Sequence, residues 1–183
     1  MIPIGDDNRD RKTTPLITWA LIAVNVFVFA YFQSFGTNER FTYAYATVPA
    51  EILSGKDIVT PDRVYVDRAT GHRYLVPGLQ PTPVPVFLTI FISMFMHAGW
   101  AHILGNMLYL LIFGDNVEDR LGHFRYLLFY LFCGAVASLS QVYTTLFTGG
   151  PLNVPSLGAS GAISGVLGAY LLLFPRKRVR VLM

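Results

Sequence analysis

Three stretches of this 183-residue chain carry no Asp, Glu, Lys or Arg: residues 13–38, 74–114 and 126–175. The first holds an apolar run of 21 residues, Pro15 to Phe35. At about 1.5 Å per residue it reaches about 31 Å as a helix, close to the ~30 Å of a bilayer's hydrocarbon core. A signal-peptide core is only about 7–15 residues long, so the run predicts an uncleaved membrane anchor, with Pro15 suited to its first turn. In the second stretch, Phe87 to Met96 is apolar for ten residues. That is too short to span, and it predicts an interfacial or half-inserted segment. A second helix is expected over 100–117, its end marked by Asp115, Asn116, Glu118, Asp119 and Arg120, and Gly122-His123 then makes a tight turn. A third is expected over 124–147 and a fourth over 158–174, separated by a loop holding Gly149, Gly150, Pro151 and Pro155. Pro175 stops the fourth, which at about 25 Å starts below the membrane surface.

Between these spans the polar segments read differently. The tail, residues 1–14, holds three acidic and three basic residues and predicts a mobile aqueous segment. The first loop, 36–99, holds five of each sign. Val64-Tyr65-Val66 and Tyr74-Leu75-Val76 flank a turn-like Asp67 to His72 and predict a hairpin; Pro77, Pro81, Pro83 and Pro85 keep the following chain irregular. A loop of this length is usually functional or disordered.

Composition sharpens the membrane reading. Hydrophobic residues make up 53% and charged residues 14%, against about 25% charged in a soluble domain. Soluble globular, disordered and nucleic-acid-binding classes are disfavoured, and the net charge of +3 forms no basic face. The tail, the 118–125 turn and the C-terminal stretch hold nine Lys and Arg, the first loop five. The positive-inside rule places both ends in the cytoplasm of a multi-pass cell-membrane protein. Cys133, the single cysteine, reads as a small buried hydrophobe.

Uncharged polar residues inside the apolar blocks are the candidate chemistry. Gly158, Gly161, Gly165 and Gly168 form one stripe on a helix, a helix–helix contact of the small-xxx-small kind. Ser160 lies about 100° away from Gly161, and reads either as a packing residue or as a nucleophile; Ser164, one turn on, reads as packing. His102 and Asn106 share a helix face at i, i+4 and suit either interhelical hydrogen bonding or donation to a developing oxyanion. His97 could sit in the interface beside Trp100. No carboxylate or thiolate lies between Tyr74 and Gly114 to complete a metal site. Glu118 and Arg120 read as a solvated helix-end salt bridge or loop clamp.

The run His97-Ala-Gly-Trp-Ala-His102-Ile-Leu-Gly-Asn106, then Gly114-Asp-Asn-Val-Glu118-Asp-Arg120-Leu-Gly122, then Gly158-Ala-Ser160-Gly161, resembles the rhomboid family of intramembrane serine proteases, the prokaryotic branch most closely. The resemblance covers roughly residues 85–180. It implies an all-α polytopic membrane protein, a helical bundle with four of an expected six transmembrane helices present and a first loop partly embedded in the membrane. It implies Ser160 as nucleophile, His102 and Asn106 as lining of the oxyanion hole, His97 as an accessory histidine, and Glu118 and Arg120 as packing of the helix 2–3 turn. Single-span membrane proteins would be the substrates, the bilayer the other partner, with no metal or organic cofactor and no nucleic acid.

One departure stands out. The resemblance implies a general-base histidine on a sixth helix, whereas all four histidines, His72, His97, His102 and His123, precede Ser160. The expectation is an N-terminal fragment, inactive as it stands, whose basic 176–180 run precedes a fifth helix opening at Val-Leu-Met. The alternatives are a non-catalytic relative that binds client helices, and a structural membrane protein carrying the motifs by coincidence.

Overall fold

The computed structural model describes residues 2–7, 9–66 and 71–182. Three long helices and one shorter one form the bundle: α1 (Leu16–Phe27, continued by a π turn, Val28–Phe32), α5 (Trp100–Leu121), α6 (His123–Phe147) and α7 (Ser160–Leu173). The first loop adds α2 (Glu39–Tyr45), α3 (Pro49–Ser54) and the short α4 (Thr89–Ile92), which is flanked by single 3₁₀ turns. Strands β1 (Ile2–Asp6) and β4 (Val179–Leu182) pair antiparallel, as do β2 (Arg63–Val66) and β3 (Arg73–Val76). The second pair is the hairpin that its alternating Val and Tyr predicted, although turn residues 67–70 lie outside those described.

α7 is the packing centre. Its buried side chains Ala162, Ile163, Val166 and Tyr170 meet Leu110 and Val117 of α5 and Tyr126 and Tyr130 of α6 in one core. The α6–α7 contact is set by absent side chains. A Cβ on Gly161 would fall 2.5 Å from Ala137 Cβ, and one on Gly165 2.5 Å from Cys133. The helices therefore approach nearer than any larger residue permits. Only half of the expected glycine stripe takes part. Gly168 has nothing near it, and Gly158 precedes the helix, which starts at Ser160. Met94 of the first loop fills the space over Gly134 instead.

Among the described residues α6, at 25 residues, is the one helix long and apolar enough to cross a membrane by itself. The apolar run before it is broken: Val86–Phe95 and Trp100–Leu121 meet at 79°. The helices expected over 15–35 and 158–174 run Leu16–Phe32 and Ser160–Leu173, about 25 Å and about 21 Å. α1 stops early because Ser34 and Phe35 turn the chain with left-handed φ of 47° and 57°.

The N-terminal tail departs from expectation: it is tied down. Asp6 accepts from Asn116 Nδ2 at 2.7 Å and from the Tyr170 hydroxyl at 2.9 Å. Arg11 pairs with Asp115 at 2.6 Å, and Asp119 accepts from the Lys12 and Thr13 N–H groups at 3.0 and 2.6 Å. Residues 179–182, expected as the end of a basic turn and, at Val181-Leu182, the opening of a further helix, form strand β4 against that tail. The alternation of Val179 and Val181 with Arg180 suits a strand, and the Arg180 guanidinium lies beside Gly5. Glu118 departs too, being fully buried where solvation was expected. Its carboxylate accepts from Ile17 N–H (2.9 Å), Thr18 N–H (2.7 Å), the Thr18 hydroxyl (2.7 Å) and His123 Nδ1 (2.5 Å). It thus serves as the N-terminal cap that Pro15 cannot supply to α1, while Arg120 is exposed.

Candidate active site

The site forms where two helix starts meet. Residues 96–99 are the break between the Val86–Phe95 run and α5, and Gly99 is the N-cap. His102 is thus the third residue of α5, and Asn106 lies one turn below. His97 lies in the break itself, fully buried, its ring edge-on to His102 with centroids 5.0 Å apart. Neither ring nitrogen of His97 has a hydrogen-bond partner among the described residues, nor does Nδ2 of the buried Asn106. Unpaired buried polar atoms are costly, and here three of them belong to the break before α5 and to its second turn. His102 Nδ1 accepts the Ala98 N–H at 3.3 Å, reaching back over the first turn as a capping-box side chain does.

The second helix start is that of α7. Its first backbone bond runs from Ile163 N–H to Ala159 O at 3.0 Å, so the N–H groups of Ser160, Gly161 and Ala162 open the helix ahead of its ladder. Ser160 is exposed, and its carbonyl accepts the Ser164 hydroxyl at 2.8 Å. Ser164 is exposed as well, so its back-bond to the helix replaces the packing role expected of it. Gly158 joins the two starts. Its φ is +123°, and the point where a Cβ would sit is 2.8 Å from His102 Nε2 and 3.8 Å from Ser160 Oγ. Only a residue without a side chain lets the imidazole and the hydroxyl approach the same point.

The first loop holds this turn in place. Thr47 and Ser156 form a bridge with N–H···O distances of 3.0 and 2.8 Å, and Ala50 N–H donates to Leu152 O at 3.0 Å. Gly158 N–H donates to Ser93 O at 2.8 Å, and the Ser93 and Thr47 hydroxyls are 2.8 Å apart. On the α6 side, Ser160 borders a cavity of about 250 Å³ walled by Ser93, Ser138, Gln141 and Ser156 among others. His102 and Asn106 are not in its walls; His102 approaches from the α5 side.

The structure therefore brings His97, His102 and Ser160 together around Gly158, with Asn106 one turn from His102. Glu118 and His123 pair sixteen residues along α5 from His102, about 24 Å away. No group of three or more His, Cys, Asp or Glu able to hold a metal ion occurs among the described residues. Sequence reasoning missed Gln33, which is fully buried and bonds to the His97 backbone at 2.9 and 3.0 Å. Its one signal was an amide side chain inside a charge-free block.

The Rhomboid domain family model matches residues 85–183. Rhomboid-like protein 11, chloroplastic, of Arabidopsis thaliana is 36% identical over 122 residues, 67% of this chain and 40% of its own. The provisionally named rhomboid protease YdcA of Bacillus subtilis is 36% identical over 78 residues, 43% of this chain and 37% of its own. Rhomboid protein 1, mitochondrial, of Saccharomyces cerevisiae is 34% identical over 101 residues, 55% of this chain and 29% of its own. The chain spans less than half the length of these curated relatives. No solved structure matches it. The family match covers more than half the chain and includes every residue gathered around Gly158, and the chain belongs to the rhomboid family of membrane-integral proteins.

Proposed function

We propose that the full-length protein is an intramembrane serine endopeptidase that cuts the membrane segment of single-span proteins. The observation that carries this reading is the meeting of His102 Nε2 and Ser160 Oγ at Gly158. Ser160 Oγ attacks the scissile carbonyl carbon, and its proton passes to a histidine base that the family resemblance places on a sixth helix, beyond these 183 residues. The carbonyl oxygen becomes an oxyanion. Donors poised for it are His102 Nε2–H, Asn106 Nδ2–H, which has no other partner among the described residues, and the N–H groups that open α7. The proton returns to the leaving amine, and water then hydrolyses the acyl-serine. His97 is an accessory packed on His102. The shortness of α7 supports a Ser160 set below the membrane surface, and nine basic residues on the tail, turn and C-terminal segments favour a cell-membrane protein with both ends of this chain in the cytoplasm.

The test is the full-length protein with Ser160→Ala, incubated in vesicles with a single-span model substrate. Cleavage is expected to vanish while thermal stability is retained, and surviving cleavage refutes the assignment. The non-catalytic client-binding alternative draws on one observation: among the described residues no side chain hydrogen-bonds Ser160 Oγ. A serine-reactive phosphonate separates the two, since an adduct on Ser160 supports the protease and its absence supports the binder.

A further inference from the structure

α1 ends in an unusual way. Its last turn is the π turn Val28–Phe32, closed by Gln33 N–H on Val28 O at 3.0 Å. The next two residues, Ser34 and Phe35, hold left-handed φ, a conformation that bulky residues avoid and that persists only where the surroundings enforce it. The Phe35 ring lies flat on Trp100 at the start of α5, with centroids 5.6 Å apart. Between the π turn and this reversal, the Gln33 side chain is left fully buried and aimed at residue 97. Its Oε1 accepts His97 N–H at 2.9 Å, and its Nε2 donates to His97 O at 3.0 Å and to Thr42 Oγ1 at 2.9 Å. One carboxamide thus takes both backbone groups of His97.

That hold reaches the site through the adjoining peptide. Ala98 N–H donates to His102 Nδ1. A neutral imidazole has one donor and one acceptor nitrogen, so an accepting Nδ1 leaves the proton on Nε2. Nε2 is the nitrogen that faces the Gly158–Ser160 turn. We propose that Gln33 is a positioning residue: by clasping the His97 backbone it presents the Ala98 N–H to His102 and so fixes His102 as a donor toward Ser160. The kinetic consequence rests on the protease reading above, whereas the tautomer consequence does not.

The test uses the full-length protein carrying ¹⁵N-histidine, with the His102 signals assigned by their loss in His102→Ala. Wild-type protein is expected to show His102 as the Nε2–H tautomer. Gln33→Met, of similar length but unable to hydrogen-bond, is expected to give a mixture of tautomers. Its kcat should fall about 10-fold to 100-fold with KM within about twofold, less than the ~10²–10³ of losing an oxyanion donor itself. Gln33→Asn keeps the amide but is one methylene too short to span both backbone groups; it is expected to behave as Gln33→Met and is read in its place if that variant does not fold. Gln33→Glu can take both His97 backbone groups only when its carboxyl is protonated, and is expected to restore the wild-type tautomer at acid pH alone. A folded Gln33→Met or Gln33→Asn with His102 still wholly Nε2–H overturns the proposal. Cleavage surviving Ser160→Ala would remove the protease reading, leaving the tautomer measurement to decide the role of Gln33 alone.

Discussion

Replacing Glu118 by Ala removes the acceptor of four hydrogen bonds from a fully buried position. The Thr18 hydroxyl can rotate, and His123, with 42% of its side chain exposed, regains water. The N–H groups of Ile17 and Thr18 have neither escape. They lie in the first turn of a helix whose N-cap is Pro15, without a capping side chain. Two orphaned backbone donors at about 1–3 kcal/mol each, together with the lost charge-assisted bonds, give about 3–5 kcal/mol. At about 2–4 °C per kcal/mol for a chain of this size, the melting temperature should fall by about 6–20 °C. Glu118→Gln keeps one acceptor oxygen and should lose about half as much. His123→Ala, the exposed end of the pair, should cost about 1 kcal/mol or less. The assay is circular dichroism of the purified protein in detergent at one fixed scan rate, because unfolding of such proteins is often irreversible. A Glu118→Ala melt within about 2 °C of wild type, or a His123→Ala loss as large as that of Glu118→Ala, refutes the capping argument.

Gly165→Ala should destabilise by about 1–3 kcal/mol through overpacking on Cys133, and Cys133→Gly in the same chain should recover part of the loss in the same melt; no recovery would show that the two do not share a contact. Gly158→Ala should abolish cleavage by the full-length protein while leaving α-helical circular dichroism intact, since a Cβ would fall 2.7–2.8 Å from the His102 ring and the φ is left-handed; activity within twofold of wild type would remove the juxtaposition argument. Burial pushes the Glu51 carboxyl above the usual carboxylate range, with Asp57 adding to the rise. A raised folded pKa means that stability is lost as pH climbs from the unfolded value of about 4.3 through the folded one. Glu51→Gln should therefore melt with wild type at acid pH and above it at neutral pH, and a difference that does not change with pH refutes the assignment.

Much of the bundle was legible because charge is so costly in a membrane. The three charge-free blocks bracket α1, the α4–α5 corner, and α6 with α7, and the alternation at 64–66 and 74–76 marked a hairpin. Ser160, His102 and Asn106 were legible by motif and spacing. What failed depended on partners far along the chain. Glu118 looked solvated because it stands in a charged run, but its acceptors serve Ile17 and Thr18, about a hundred positions earlier. The tail looked mobile because nothing local pairs Asp6 with Tyr170 or Arg11 with Asp115. Gly158 fitted the helical stripe by period, yet periodicity carries no information on where a helix begins. Gln33 was invisible, since a single amide in an apolar run says nothing of its partners.

The stitching of the Ser160 turn to the first loop limits how the protein can be recombined. Thr47, Ala50 and Ser93 each bond to a backbone group between Leu152 and Gly158. A chimera that imports a relative's first loop alone would keep every proposed catalytic residue and still lose the backbone that aims the serine. Exchange should succeed only when residues 47–95 and 152–158 travel together, so the two segments behave as one inheritable part although the hairpin of α5 and α6 separates them in sequence.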